Sequence, residues 1–130
     1  MTSRLIRLVV ATVAGVLACG LPLWPIPYKE VSIGANPSPT LWIGLAAVAG
    51  LLAGLMVRPG LRAPILSVTL GFALAVIIRV GVETGRDPTS HNLWPIEVVY
   101  ASWFGLIGAG LGVGLARIGL KMTGREHPSV

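Results

Sequence analysis

Charged side chains are scarce in this sequence, and their scarcity excludes an ordinary soluble domain. Of its 130 residues, 12% are charged and 54% are hydrophobic. A water-soluble fold needs more polar residues than this to cover its surface. The net charge is +5, but the basic residues flank apolar runs and form no stripe, so we expect no nucleic-acid partner.

Cysteine and catalytic motifs are equally sparse. The single cysteine, Cys19, excludes an intrachain disulfide. The sequence contains no G-x-S-x-G turn, no H-E-x-x-H pair and no phosphate-binding glycine loop. We therefore expect a protein that is not an enzyme, with no catalytic residue, no cofactor and no metal site.

Four apolar runs make up most of the chain. They cover residues 8–24, 40–57, 63–82 and 98–116. A hydrocarbon core of about 30 Å needs ~20 apolar residues in a helix, and a helix satisfies its own backbone hydrogen bonds in lipid. The sequence predicts an all-α membrane protein, a single polytopic domain over residues 1–130, with four transmembrane helices packed as a bundle of two hairpins.

Proline, glycine and polar residues mark the connections between these spans. Three prolines from Pro22 onward predict the end of the first span, and Pro59-Gly60 predicts a tight turn that makes spans two and three antiparallel neighbours. The predicted spans are 8–24, 40–57, 63–82 and 95–117, with outer loops 25–39 and 83–94, an inner loop 58–62 and a polar tail 121–130.

The basic residues indicate an orientation. Most of the ten Lys and Arg flank the same side of the spans, namely Arg4, Arg7, Arg58, Arg62, Arg117, Lys121 and Arg125. The positive-inside rule then predicts a multi-pass protein of the plasma (bacterial inner) membrane with both termini cytoplasmic.

The N-terminus leaves one alternative open. Arg4 and Arg7 followed by apolar residues up to Cys19 resemble a secretory signal, and Val16-Leu17-Ala18-Cys19 loosely resembles a lipoprotein cleavage box. The apolar run continues past Cys19 to Trp24, longer than a usual signal core. An uncleaved first span is therefore the expectation.

Glycines recur at four-residue spacing in spans two and four. In lipid, helices associate through close backbone contact at small residues. The pattern has two interpretations, which are packing inside the bundle and contact with a second protomer or another membrane subunit. Gly110 and Gly114 form a further pair, so the glycines of span four cover more than one side of that helix. The candidate packing face consists of Gly50, Gly54, Gly105, Gly108 and Gly112.

Acidic and aromatic residues collect on the predicted outer side, where they define a candidate ligand or partner site. A structural role is possible for each: Arg79 can pair with Glu83 one turn later, Glu97 suits the first turn of a helix, and tryptophans anchor at interfaces. The candidate site residues are Arg79, Glu83, Asp87, His91, Trp94, Glu97 and Trp103.

The glycine pattern and the candidate outer site indicate two alternative functions. The first is a structural or assembly subunit of a homo-oligomer or larger membrane complex, with the lipid bilayer and other subunits as partners. The alternative is a small-solute or ion transporter or channel component with its site at the outer rim. A repeat of Trp42-Ile43-Gly44-Leu45 as Trp103-Phe104-Gly105-Leu106 indicates either a duplicated hairpin or a chance match of common membrane residues.

Overall fold

Four helices make up most of the described part of the chain. The computed structural model describes residues 3–25, 38–58, 60–86 and 94–124. Within them lie α1 (Ser3–Leu23), α2 (Pro39–Met56), α3 (Arg62–Arg86) and α4 (Trp94–Met122). Each helix is long and apolar enough to cross a membrane. The prediction of an all-α chain with four candidate membrane spans is confirmed.

Several helices extend beyond the apolar runs that predicted them. α1 begins at Ser3, before its apolar run, and Pro22 lies inside it. The amide of Trp24 still donates to Gly20 O at 2.7 Å. The expected outer loop from residue 83 is wrong at its start, since α3 continues to Arg86. In this last part of α3, Thr84 Oγ1 donates to Val80 O at 2.6 Å. Hydropathy marks where a helix leaves the lipid, and the helix itself can run further.

Two helices also extend beyond their predicted bounds at residues near the arginine-rich and lysine-containing ends of the spans. Arg62 was expected in the inner loop but begins α3, and Lys121 was expected in the polar tail but lies in the last turn of α4. Gly124 follows α4 with a φ of 71°, and its amide donates to Lys121 O at 3.2 Å. A left-handed glycine of this kind commonly ends a helix.

The most extensive packing joins helices that are not consecutive in the chain. α1 packs mainly on α3, and α2 packs mainly on α4. Sequence numbers rise together along both contacts, so each pair is parallel. Between α2 and α4, Gly50 meets Ala109 and Gly54 meets Val113; between α1 and α3, Gly15 meets Val68 and Leu23 O accepts from Arg79. The members of each predicted hairpin also touch, but less extensively, and α2 and α3 contact each other less still. Two parallel pairs therefore describe the packing better than two hairpins.

Small residues fill the interior of the bundle. Ala11, Ala46, Ala53 and Ala109 are fully buried, which lets the helix backbones approach closely, as association in lipid requires. Large apolar side chains instead cover the outside; Val99, for example, is 68% exposed. This distribution suits a lipid surround, because an apolar surface of such extent is rare on a soluble monomer.

All five glycines of the candidate packing face are used inside this chain. Gly50, Gly54, Gly108 and Gly112 lie between α2 and α4, while Gly105 lies against Phe72 of α3. A Cβ added to Gly50 would sit 2.7 Å from Ala109 O, and one added to Gly105 would sit 2.8 Å from Phe72 Cγ. The structure therefore assigns these positions to intramolecular packing.

Candidate functional site

Arginines gather at one end of the bundle. Arg4 Nη1 donates to Arg58 O at 2.9 Å, and Arg7 Nη1 donates to Met56 O at 3.1 Å. The start of α1 therefore lies beside the end of α2. We call this the basic end, defined by Arg4, Arg7, Arg58 and the side chain of Arg117.

Arg117 is buried at the basic end and holds the last turn of α2. Its Nε donates to Gly54 O at 3.2 Å, and its Nη2 donates to Val57 O at 2.5 Å and to Gly60 O at 2.7 Å. The last carbonyls of a helix have no partner within it and carry partial negative charge. A cation from α4 thus caps the C-terminus of α2, a role that the sequence did not reveal.

Arg79 has the matching position at the opposite end. It is 5% exposed, and its Nη1 donates to Leu23 O at the C-terminus of α1. Its Nε donates to Glu83 Oε1 at 2.8 Å, which confirms the predicted pair. Arg79 therefore caps the C-terminus of α1 and also pairs with Glu83 on its own helix.

A cleft of about 280 Å³ opens beside this ion pair. Its walls are Trp24, Ile78, Arg79, Val82 and Glu83. Trp24 is positioned by its indole Nε1, which donates to Ala75 O of α3 at 3.2 Å. The candidate site had omitted Trp24, although a tryptophan that ends an apolar run is a recognisable interfacial signal.

The structure brings together only part of the predicted site. Arg79 and Glu83 share the cleft, whereas Glu97 lies half-buried in the first turn of α4, as its helix-start role predicted. Trp103 is 61% exposed and does not line the cleft. Asp87 and His91 lie outside the described residues, as does the side chain of Trp94, the first residue of α4. Within the part of the chain that the structure describes, no three His, Cys, Asp or Glu residues come together as metal ligands.

A buried aromatic cluster occupies the same half of the bundle. Trp42 is 7% exposed, and its Nε1 donates to Cys19 O at 3.2 Å. Its ring centroid lies 6.4 Å from that of Phe72 and 6.0 Å from that of Phe104. Phe104 of α4 therefore makes the aromatic contact with α2, whereas the neighbouring Trp103 is 61% exposed.

The repeated sequence pattern does not correspond to repeated environments. Trp42 is buried, whereas its match Trp103 is largely exposed. Gly44 has open space beside it, whereas its match Gly105 lies against Phe72. The parallel arrangement of α2 and α4 agrees with a duplication, but the equivalent side chains do not share a role.

The described residues thus contain four candidate membrane-spanning helices and, at the end opposite the basic end, a small cleft with an ion pair and apolar walls. No family model, curated protein or solved structure matches this chain.

Proposed function

We propose that this chain is a multi-pass protein of the plasma (bacterial inner) membrane that acts as a structural or assembly subunit. Its basic end faces the cytoplasm, together with both termini. It associates through a helix surface with a second copy or with another subunit of a larger complex. The charge distribution supports the orientation, and one surface of α4 supports the association.

A pair of glycines on the outward side of α4 is the observation that carries this proposal. A Cβ added to Gly110 or Gly114 would meet no described atom within 4 Å beyond the adjacent residues and backbone of α4 itself. Helical spacing places exposed Ile107 and Ile118 on the same side. We call these four residues the outward glycine face. It has the small-x-x-x-small spacing that permits close contact between membrane helices.

The interior of the bundle also favours assembly over transport. The described core is filled by alanine, valine and aromatic side chains. Among the described residues, the buried charged side chains are Arg79 and Arg117, and each lies near a helix terminus and not at mid-bilayer. A transport pathway usually carries ionisable groups within the spans.

The mass of the purified protein in mild detergent tests the assembly. We expect the wild type to run as an oligomer or with a co-purifying subunit, and we expect Gly110→Leu combined with Gly114→Leu to run alone as a monomer. Gly44→Leu is the matched control, since Gly44 likewise has open space beside it but has no glycine one turn further along α2. A wild type that is strictly monomeric, or a control that dissociates equally, contradicts the proposal.

Reporter fusions test the orientation separately. Fusions at Gly34 and Thr89, in the two predicted outer loops, should report an extracytoplasmic location. A fusion after Met122 should report the cytoplasm. A cytoplasmic signal from either loop would overturn the assigned orientation while leaving the assembly proposal intact.

Binding or passage of a small solute is the second candidate, and the Arg79–Glu83 cleft is the observation that favours it. Flux of candidate ions and small solutes into liposomes checks it. Transport through this site predicts that Arg79→Ala and Glu83→Gln alter the flux. Unchanged flux in both variants would remove the cleft from any transport mechanism.

A further inference from the structure

The cleft beside Arg79 combines two kinds of wall. Arg79 and Glu83 supply a cation and a carboxylate 2.8 Å apart. On the same cleft, Ile78 and Val82 are 48% and 52% exposed, on a helix apolar enough to cross a membrane. A ligand that fits both walls needs a charged part and a hydrocarbon part.

The charged wall lies at the depth of lipid headgroups. α1 has 21 residues, which at 1.5 Å each span about 31 Å, close to the thickness of the hydrocarbon core. Arg79 bonds to Leu23 O at the last residue of α1, opposite the basic end. Trp24, the next residue, is 38% exposed, as is common at a membrane interface.

The charge of the wall indicates which headgroup fits. Arg79 and Glu83 together have no net charge, so an anionic headgroup would meet the carboxylate as well as the guanidinium. A zwitterionic headgroup can place its phosphate at the arginine and its cation at the glutamate. A primary ammonium donates hydrogen bonds to a carboxylate, whereas a quaternary ammonium has no N–H to donate.

The size of the cleft agrees with a headgroup. Sites that enclose a drug-sized ligand measure about 300–1,000 Å³, and this cleft measures about 280 Å³. It can hold a phosphate and a two-carbon amine, while the acyl chains of the lipid remain outside along α3.

We propose that this cleft binds phosphatidylethanolamine from the leaflet at the end opposite the basic end. The phosphate lies at Arg79, the ammonium lies at Glu83, and an acyl chain follows Ile78 and Val82. This inference rests on the proposed membrane location and is independent of the assembly through α4.

Native mass spectrometry of the full-length protein with added lipid tests the inference. We expect phosphatidylethanolamine to bind roughly tenfold more tightly than phosphatidylcholine, the scale of one charge-assisted hydrogen bond, and more tightly than phosphatidylglycerol. Equal binding of the three lipids, or a preference for phosphatidylglycerol, overturns it. Soluble phosphoethanolamine should compete poorly because it lacks the acyl chains; full displacement at equal concentration also overturns it.

Substitutions test whether the preference for phosphatidylethanolamine arises in the cleft. Glu83→Gln should abolish the preference for phosphatidylethanolamine over phosphatidylcholine, while Glu97→Gln, which removes a carboxylate outside the cleft, should retain it. Val82→Trp should lower the binding of phosphatidylethanolamine by filling the apolar wall without changing the ion pair. With helical content unchanged, a Glu83→Gln variant that keeps the preference, or a Val82→Trp variant that binds phosphatidylethanolamine as tightly as the wild type, would contradict the assignment.

Failure of the lipid inference is distinguishable from failure of the membrane location. A chain that is extracted from membranes by alkaline carbonate is not integral, and that result would remove the location and the lipid site together. A chain that stays in the membrane but shows no preference for phosphatidylethanolamine removes the lipid site alone.

Discussion

The two sides of α4 carry the same sequence pattern in different surroundings. Gly108 and Gly112 face α2, and a Cβ at either would overlap backbone atoms of that helix. Gly110 and Gly114, with identical spacing, have open space beside them. A small-x-x-x-small pair therefore identifies a surface capable of close packing, and only the structure shows whether the chain itself fills that surface.

The inward side of α4 also carries side-chain hydrogen bonds to the end of α2. Arg117 continues the α2-facing side and donates to three backbone carbonyls at the end of α2. Among the described residues of the outward glycine face, the flanking side chains are isoleucines. The inward side is therefore assigned to folding, and we assign the outward side to association.

The largest expected effect comes from filling the inward side. Gly112→Leu would place a side chain where the backbone of α2 already lies, so it should separate α2 from α4 and destabilise the bundle by more than about 3 kcal/mol. Thermal unfolding followed by circular dichroism in detergent measures this effect. Gly110→Leu is the control and should leave the unfolding transition of the monomer unchanged. If both variants lost the same unfolding free energy, the inward and outward sides of α4 would not differ in their role.

Removal of the buried arginine should have the next largest effect. Arg117→Leu leaves the carbonyls of Gly54, Val57 and Gly60 without this donor, at a cost of about 2 kcal/mol in unfolding free energy. Arg62→Leu removes an exposed arginine near the basic end and should cost little. If both variants have the same unfolding free energy as the wild type, the hydrogen bonds of Arg117 do not stabilise the contact between α2 and α4.

Replacing a glycine by alanine should change the unfolding free energy by a smaller amount, with opposite signs inside and outside the α2–α4 contact. Gly110→Ala should stabilise the monomer by about 0.5 kcal/mol, because alanine restricts the unfolded chain and meets nothing in the fold. Gly50→Ala should destabilise it, since the added Cβ would lie 2.7 Å from Ala109 O. Chemical denaturation measures the unfolding free energy of both variants. Changes of the same sign would contradict the described packing.

The sequence predicted the features that depend on local spacing. Four apolar runs became four helices, the Arg79–Glu83 pair formed one turn apart on α3, and Glu97 lies in the first turn of α4. Each of these depends on residues close together in the chain, whose relation is fixed by helix geometry.

Features that depend on distant contacts were not predictable from the sequence. Pairing of α1 with α3 and of α2 with α4 sets the role of Arg117, which bonds to residues about sixty positions away. A change of one residue rotates a helix position by about 100°, which is why Phe104 faces α2 while Trp103 does not. The inward and outward glycine pairs differ by two residues, a rotation of about 200° that places them on opposite sides of α4.

Cysteine crosslinking in native membranes tests the central claim, association through the outward glycine face, most directly. In a Cys19→Ala background, Gly110→Cys should form a disulfide-linked dimer on mild oxidation, because two close helices bring Cβ atoms to about 4 Å. Gly44→Cys, on the exposed side of α2, should remain monomeric. If Gly110→Cys stays monomeric, or if Gly44→Cys crosslinks equally, the outward side of α4 is not an interface between copies of this chain; a crosslink to a different protein would instead identify the other subunit.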